Sequence, residues 1–216
     1  MAKLEFNSVG DRLFETGVKK GVLYVMGDSG AYGEGVAWNG LTAVTEKPTG
    51  AEPTNLYADD IKYVVLHGNE EFEATIEAYT YPEEFEQCDG SATLATGVNI
   101  GQQSRKSFGF CYTTALGNDV KGQEYGYKIH IIYGCKAKPS EKPYSTINDN
   151  PDAVTFSWEL STTPVPVEGM KPTATVVIDS TRLEKSKLQK LEEKLYGTAS
   201  GKPTLPLPHE IKTLLQ

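Results

Sequence analysis

A mainly β architecture with one flanking helix is predicted by three features of this sequence. Gly (21), Pro (12) and Tyr (12) are abundant for 216 residues, as many short strands joined by turns require. Apolar and polar residues alternate through several segments, whereas one helical period stands out, near the C-terminus. Turn-forming stretches such as GNDVKGQ and KPSEKPYSTINDNPD separate the runs. With 38% hydrophobic and 23% charged residues the chain has the apolar content of a folded protein, and we expect one domain over residues 1–216.

The elements follow in chain order. Residues 1–20 are expected to form an N-terminal arm, followed by strands at GVLYV (21–25) and GVAWNGLTAV (35–44). Residues 45–62, TEKPTGAEPTNLYADDIK, are polar and without period, which predicts a long loop. In EFEATIEAY, Phe72, Ala74, Ile76 and Ala78 alternate with Glu73, Thr75, Glu77 and Tyr79, so this strand has a buried face and an acidic wet face. PEEFEQ follows as a short acidic helical turn with Pro82 in the first position.

Strands are next expected at SFGFCYTT (107–114), at YGYKIHIIY with Tyr127, Ile129, Ile131 and Tyr133 on one face, and at TFSWEL with Phe156, Trp158 and Leu160 together. TATVVID (173–179) is the last strand. The helix is expected over 182–196, opened by a Thr181–Glu184 capping box, buried through Leu188, Leu191 and Leu195, and stopped by Gly197. Residues 198–216 form a C-terminal arm whose prolines exclude a central strand; it is expected to dock through a short turn bearing Ile211, Leu214 and Leu215.

No catalytic pattern emerges, and the chain reads as a non-enzyme. Gly27-Asp28-Ser29-Gly30 lacks an upstream histidine, the first being His67, so the chymotrypsin order of triad residues is impossible; Ala31 breaks the lipase elbow. The glycines at 30, 33 and 35 miss G-x-G-x-x-G because Trp38 holds the third position. His67, His130 and His209 are dispersed, and His130 is read as a hydrogen-bonded strand residue. Glu83, Glu84, Glu86 and Asp89 do not have calcium-loop spacing. Cys88, Cys111 and Cys135 include no C-x-x-C pair and read as buried free thiols; we expect no metal and no cofactor.

The formal charge of −8 argues against binding nucleic acid through its phosphates. The start of the chain has no leader-like apolar run and no segment has the length of a membrane span, so the expectation is a soluble product of the cytoplasm with no membrane partner. Charge is unevenly placed. Tyr63 to Ser104 carries eight acids and no Lys or Arg, whereas Arg105 to Lys142 carries seven basic residues against Asp119, Glu124 and Glu141. Complementary patches of this kind permit head-to-tail association.

The ordered segments GVAWNGLTAVTEKPTGAEPTNLYADDIKY, EEFEATIEAYTYPEEFEQCDG, GYKIHIIYG, TINDNPDAVTFSWELSTTPV and PTATVVIDST make the chain resemble the major tail proteins of siphoviruses, phages with long non-contractile tails. The resemblance runs from about Gly10 to Pro208 and rests on no single short motif. It implies a β-sandwich or barrel-like tube fold, hexameric rings stacked into a hollow tail, and passage of phage DNA through the lumen without specific binding. It further implies a tape-measure protein and tail terminator and distal tail proteins as partners, and a place in the virion after assembly in the host cytoplasm.

On that resemblance Glu71, Glu73 and Glu77 are expected to face the lumen, where negative charge repels phosphate. Glu46, Lys47, Pro48, Pro53, Asp59 and Asp60 of the 45–62 loop are expected to reach the neighbouring ring. The reading from another class is a carbohydrate-binding β-sandwich with Trp38, Trp158 and tyrosines as a sugar platform.

Overall fold

The computed structural model describes residues 4–50, 52–147 and 153–215, and is mainly β with antiparallel sheets. The end of the proline-rich turn, residues 148–152, and residues 1–3 and 216 of the two expected arms lie outside the described residues. Eight strands form one array: β1 (Leu13–Met26), β2 (Tyr32–Trp38), β3 (Leu41–Gly50), β6 (Glu70–Ala78), β9 (Phe108–Asn118), β10 (Gly122–Ala137), β11 (Phe156–Ser161) and β12 (Thr175–Asp179). Two separate hairpins are formed by β4 (Thr54–Ala58) with β5 (Ile61–Leu66), and by β7 (Ala92–Ala95) with β8 (Val98–Ile100).

The array bends through β10 into two layers. The first layer runs β2-β1-β9-β10, with β12 on the other edge of β10; the second runs β11-β6-β3 and joins the first through Lys136 and Ala137. The bend is at Gly134, whose φ of +59° accompanies a register shift between Ile132 and Cys135. One extra residue reverses the alternation, so Cys135 and Ala137 face the same core as Ile132.

That core lies between the layers and is built from Leu23, Phe108, Phe110 and Ile132 on one side and Ala74, Ile76, Trp158 and Leu160 on the other. Trp38, Phe85 and Trp158 form its aromatic centre, with Trp38 and Phe85 ring centroids 4.5 Å apart. The opposite face of the first layer buries Val22, Tyr24, Cys111, Ile129, Ile131 and Tyr133 under helix α2 (Lys185–Tyr196) and helix α3 (Pro208–Leu215). Burial on both faces explains why FGFCYTTALGN reads as an almost continuous run rather than a clean alternation.

Several expectations are corrected. Leu13, not residue 21, opens the first strand, because residues 13–16 pair with Asn118 to Ala115 of β9 and only 4–12 remain arm-like. GVAWNGLTAV is two strands, broken at Asn39-Gly40, where Gly40 has φ +75° and the chain crosses from one layer to the other. The helix starts at Lys185 rather than 182. Thr181 donates its hydroxyl to Asp179, so no capping box forms and Glu184 stands at the N-cap without a side-chain bond. Its buried face is Leu188, Leu191 and Leu195, and Gly197 ends it.

The C-terminal residues pack rather than extend. Tyr133 Oη donates to the Pro206 carbonyl, Leu205 and Ile211 are buried, and the short turn is a full second helix, α3. PEEFEQ is helical as expected, a 3-10 turn at Glu83–Phe85 running into α1 (Glu86–Asp89). Among the described residues no helix is long and apolar enough to cross a membrane.

Candidate assembly surface

The 45–62 segment is not a loop. Its first part continues β3, pairing Glu46, Lys47 and Pro48 with Ala74, Glu73 and Phe72 of β6, and its second part is the β4–β5 hairpin. The strand continues because β6 offers an unpaired edge up to Glu70, and ladder bonds outweigh the weak β propensity of EKPTG. Asp59 and Asp60, with φ of +51° and +60°, make the two-residue turn, a conformation that aspartate tolerates better than most residues. The sequence signal was present: two aspartates between the apolar runs NLYA and IKYVVL mark a hairpin.

Among the described residues the hairpin makes no substantial contact with any other strand or helix. Yet Leu56, Tyr57, Ile61, Tyr63, Val64 and Leu66 are all exposed, Tyr63 at 71% and Tyr57 at 69%. An isolated two-stranded hairpin is marginal in water, and a concentration of large apolar side chains marks an interaction surface. These residues join the prolines and charges expected from the sequence as contact candidates; of the expected six, Asp59 and Asp60 stand at the tip and Pro53 precedes β4. Among the described residues the outer edge of β3 is also unpaired, and Lys47 and Pro48 on it are the residue types that blunt an open edge.

At the other end of β3 lies a groove of about 690 Å³, lined by Val18, Lys19, Lys20, Trp38, Asn39 and Leu41 among others. It forms where β2 leaves β1 at Gly21 and β3 begins. Lys20, at φ +55°, holds its ammonium 5.4 Å from the Tyr196 ring centroid. Neither Lys19 nor Lys20 has an ion-pair partner among the described residues.

Between groove and hairpin, a polar cluster closes the mouth between the layers. His130, 8% exposed, stacks on Tyr112 and has Nε2 3.0 Å from Thr114 Oγ1 and 3.3 Å from Glu15, with Nδ1 3.6 Å from Glu46. Tyr112 donates to Glu46 at 2.9 Å, and Lys128 and Thr114 donate to Glu15. The facing His130 ring, a close polar contact rather than a well-formed hydrogen bond, most strongly holds the Glu46 carboxyl below the ordinary carboxylate range; burial opposes it and Tyr112 adds to it. Burial works against ionisation of Glu15 too, but the Lys128 and Thr114 hydrogen bonds outweigh it and leave its pKa lowered.

Carboxylates with depressed folded-state pKa values stabilise the fold fully above their unfolded pKa, about 4.3 for glutamate, and lose that contribution as pH falls through the folded value. Glu46→Gln is therefore expected to lower the urea midpoint at pH 7 and to approach the wild-type midpoint at pH 3. The two unfolding curves measured at each pH check this; a constant gap would show that Glu46 acts without its charge.

The wet face of β6 is as expected only in part. Thr75 is buried and Glu73 is ion-paired with Lys138, so Glu71 and Glu77 are the acids of this face without such a partner among the described residues. The acid-only and basic segments also meet within the chain, through Lys138 with Glu73 and Lys142 with the buried Asp89. Glu159 on β11 extends the acidic face beside Thr75.

Ser29 lies in the exposed β1–β2 turn, and His67 and His209 are exposed on other elements. Cys88, Cys111 and Cys135 are buried and free, and burial pushes the Cys88 and Cys111 thiols up to about 12. Trp38 and Trp158 are 2% and 0% exposed, so neither indole presents a face to a sugar. Among the described residues no cluster of three or more His, Cys, Asp or Glu could hold a metal ion. No protein-family model matches the chain, and no curated protein matches it.

Proposed function

We propose that this chain is a structural, non-catalytic subunit of a siphovirus tail tube, six copies closing a ring and rings stacking into the conduit for phage DNA. The observation that carries the proposal is the β4–β5 hairpin, which projects from the body and exposes six large apolar side chains that only a partner can bury. The free edge of β3 supports it further, because ring closure would pair that edge with a neighbouring subunit. In this reading the face of β6 and β11 borders the lumen, with Glu71 and Glu77 supplying the negative wall and Lys138 offsetting Glu73 and, at 4.0 Å, Glu159. Tape-measure, terminator and distal tail proteins would set the length and ends of the tube, and its place would be the virion tail.

Negative-stain electron microscopy of the purified chain over a range of concentrations tests this. Rings or hollow tubes that grow in number with concentration are the expected result. Compact monomers at every concentration, also after addition of preformed tail tips, would defeat the reading.

A further inference from the structure

The hairpin and the groove lie at opposite ends of β3: Leu41 lines the groove, and Gly50 leads into the hairpin. A protrusion and a recess at opposite poles of one body make a heterologous pair, which repeats without closing when copies are related by translation. Their chemistry is complementary. The tip carries Asp59 and Asp60 beside Tyr57 and Ile61, 69% and 63% exposed, while the groove is lined by Val18, Leu41 and Trp38 together with Lys19 and Lys20, which have no carboxylate partner among the described residues, Lys20 resting against the Tyr127 and Tyr196 rings. Like-charged ends would repel; these attract and fix polarity.

From these observations we infer that the β4–β5 tip of one copy seats in the β1–β2–β3 groove of the next copy along the polymer, Tyr57 or Ile61 entering the apolar floor and Asp59 and Asp60 meeting Lys19 and Lys20. The inference rests on the tube reading and specifies its stacking contact. It also bounds the repeat. At about 3.4 Å per residue, the chain from Leu41 to Asp59 limits the rise between successive copies to roughly 60 Å.

Cross-linking tests it, because the three native thiols are buried and an added cysteine is the exposed one. Chains carrying Ala58→Cys beside the tip and chains carrying Asn39→Cys in the groove are assembled together and treated with a short bismaleimide. The mixture is expected to give a covalent heterodimer, each variant alone none. K19E/K20E introduced into the Asn39→Cys chain is expected to cut heterodimer yield roughly tenfold at low salt, with the loss shrinking as salt screens both partners. Tubes that form without the 58–39 product, or with a 58–58 product, would overturn the docking and leave the tube reading standing; absence of both tubes and product would overturn both.

Discussion

Replacing Thr54–Leu66 by a short Gly-Ser link is expected to raise the concentration needed for assembly by on the order of a hundredfold or more, while leaving the unfolding midpoint of the monomer unchanged. The two halves of this expectation have one cause. Among the described residues neither core includes a hairpin residue, so its removal takes nothing from them; because its apolar side chains stay exposed in the single chain, what they contribute is expected between chains. Sedimentation velocity and electron microscopy read the first half, and urea unfolding at low concentration reads the second. A destabilised monomer would mean that the hairpin supports the body after all. Undiminished assembly would mean that subunits meet elsewhere, with the free β3 edge the next surface to test.

Gly134→Ala is expected to have the largest effect of any single methyl addition on the fold. The residue sits at φ +59°, and a Cβ there would lie 2.3 Å from the Thr163 carbonyl oxygen and 3.0 Å from its amide nitrogen. Both are backbone atoms, fixed in turn by the Thr163 N–H bond to the Gly134 carbonyl, while the Gly134 N–H donates to Tyr32 Oη. Left-handed strain and overpacking together suggest a loss of about 2–5 kcal/mol, a large share of the stability of an ordinary domain. Urea unfolding followed by far-UV circular dichroism measures it. A loss below about 0.5 kcal/mol, typical of neutral surface changes, would show that β10 can bend without glycine at this point.

The same residue shows where sequence reading stops. The alternation in YGYKIHIIY places Tyr127, Ile129, Ile131 and Tyr133 on one face, and they are together under the helices. Nothing in YGCKA announces that the strand changes layers two residues later, because a bulge is defined by the register with a partner strand, here β9, and the layer by the next partner, here β11. GVAWNGLTAV contains its break in plain view as Asn39-Gly40, but the apolar residues on both sides join the same core and mask it. The helix face Leu188, Leu191 and Leu195 was legible since its period needs no partner to be recognised.

The candidate surface was legible in position and not in chemistry. The 45–62 stretch stood out for its polarity and length, which directed attention to Glu46 and Lys47; these belong to β3, and Glu46 turns inward to Tyr112 and His130. The apolar residues of β4 and β5 do not stand out, because Leu56, Tyr57 and Ile61 are scattered in a stretch that is polar on average. Their exposure follows from the absence of any strand or helix across from them, a property of the whole fold.

The burial of both indoles in one aromatic centre, their ring centroids 5.6 Å apart, gives the molecule two separable optical signals. Tryptophan emission belongs wholly to the space between the layers and shifts to longer wavelength when that space opens to water. Tyr57 and Tyr63 belong to the hairpin, outside both cores, so burial of the hairpin against another chain changes tyrosine absorbance while the indoles stay as they were. Folding and any burial of the hairpin can therefore be timed independently in one cuvette, with no label attached.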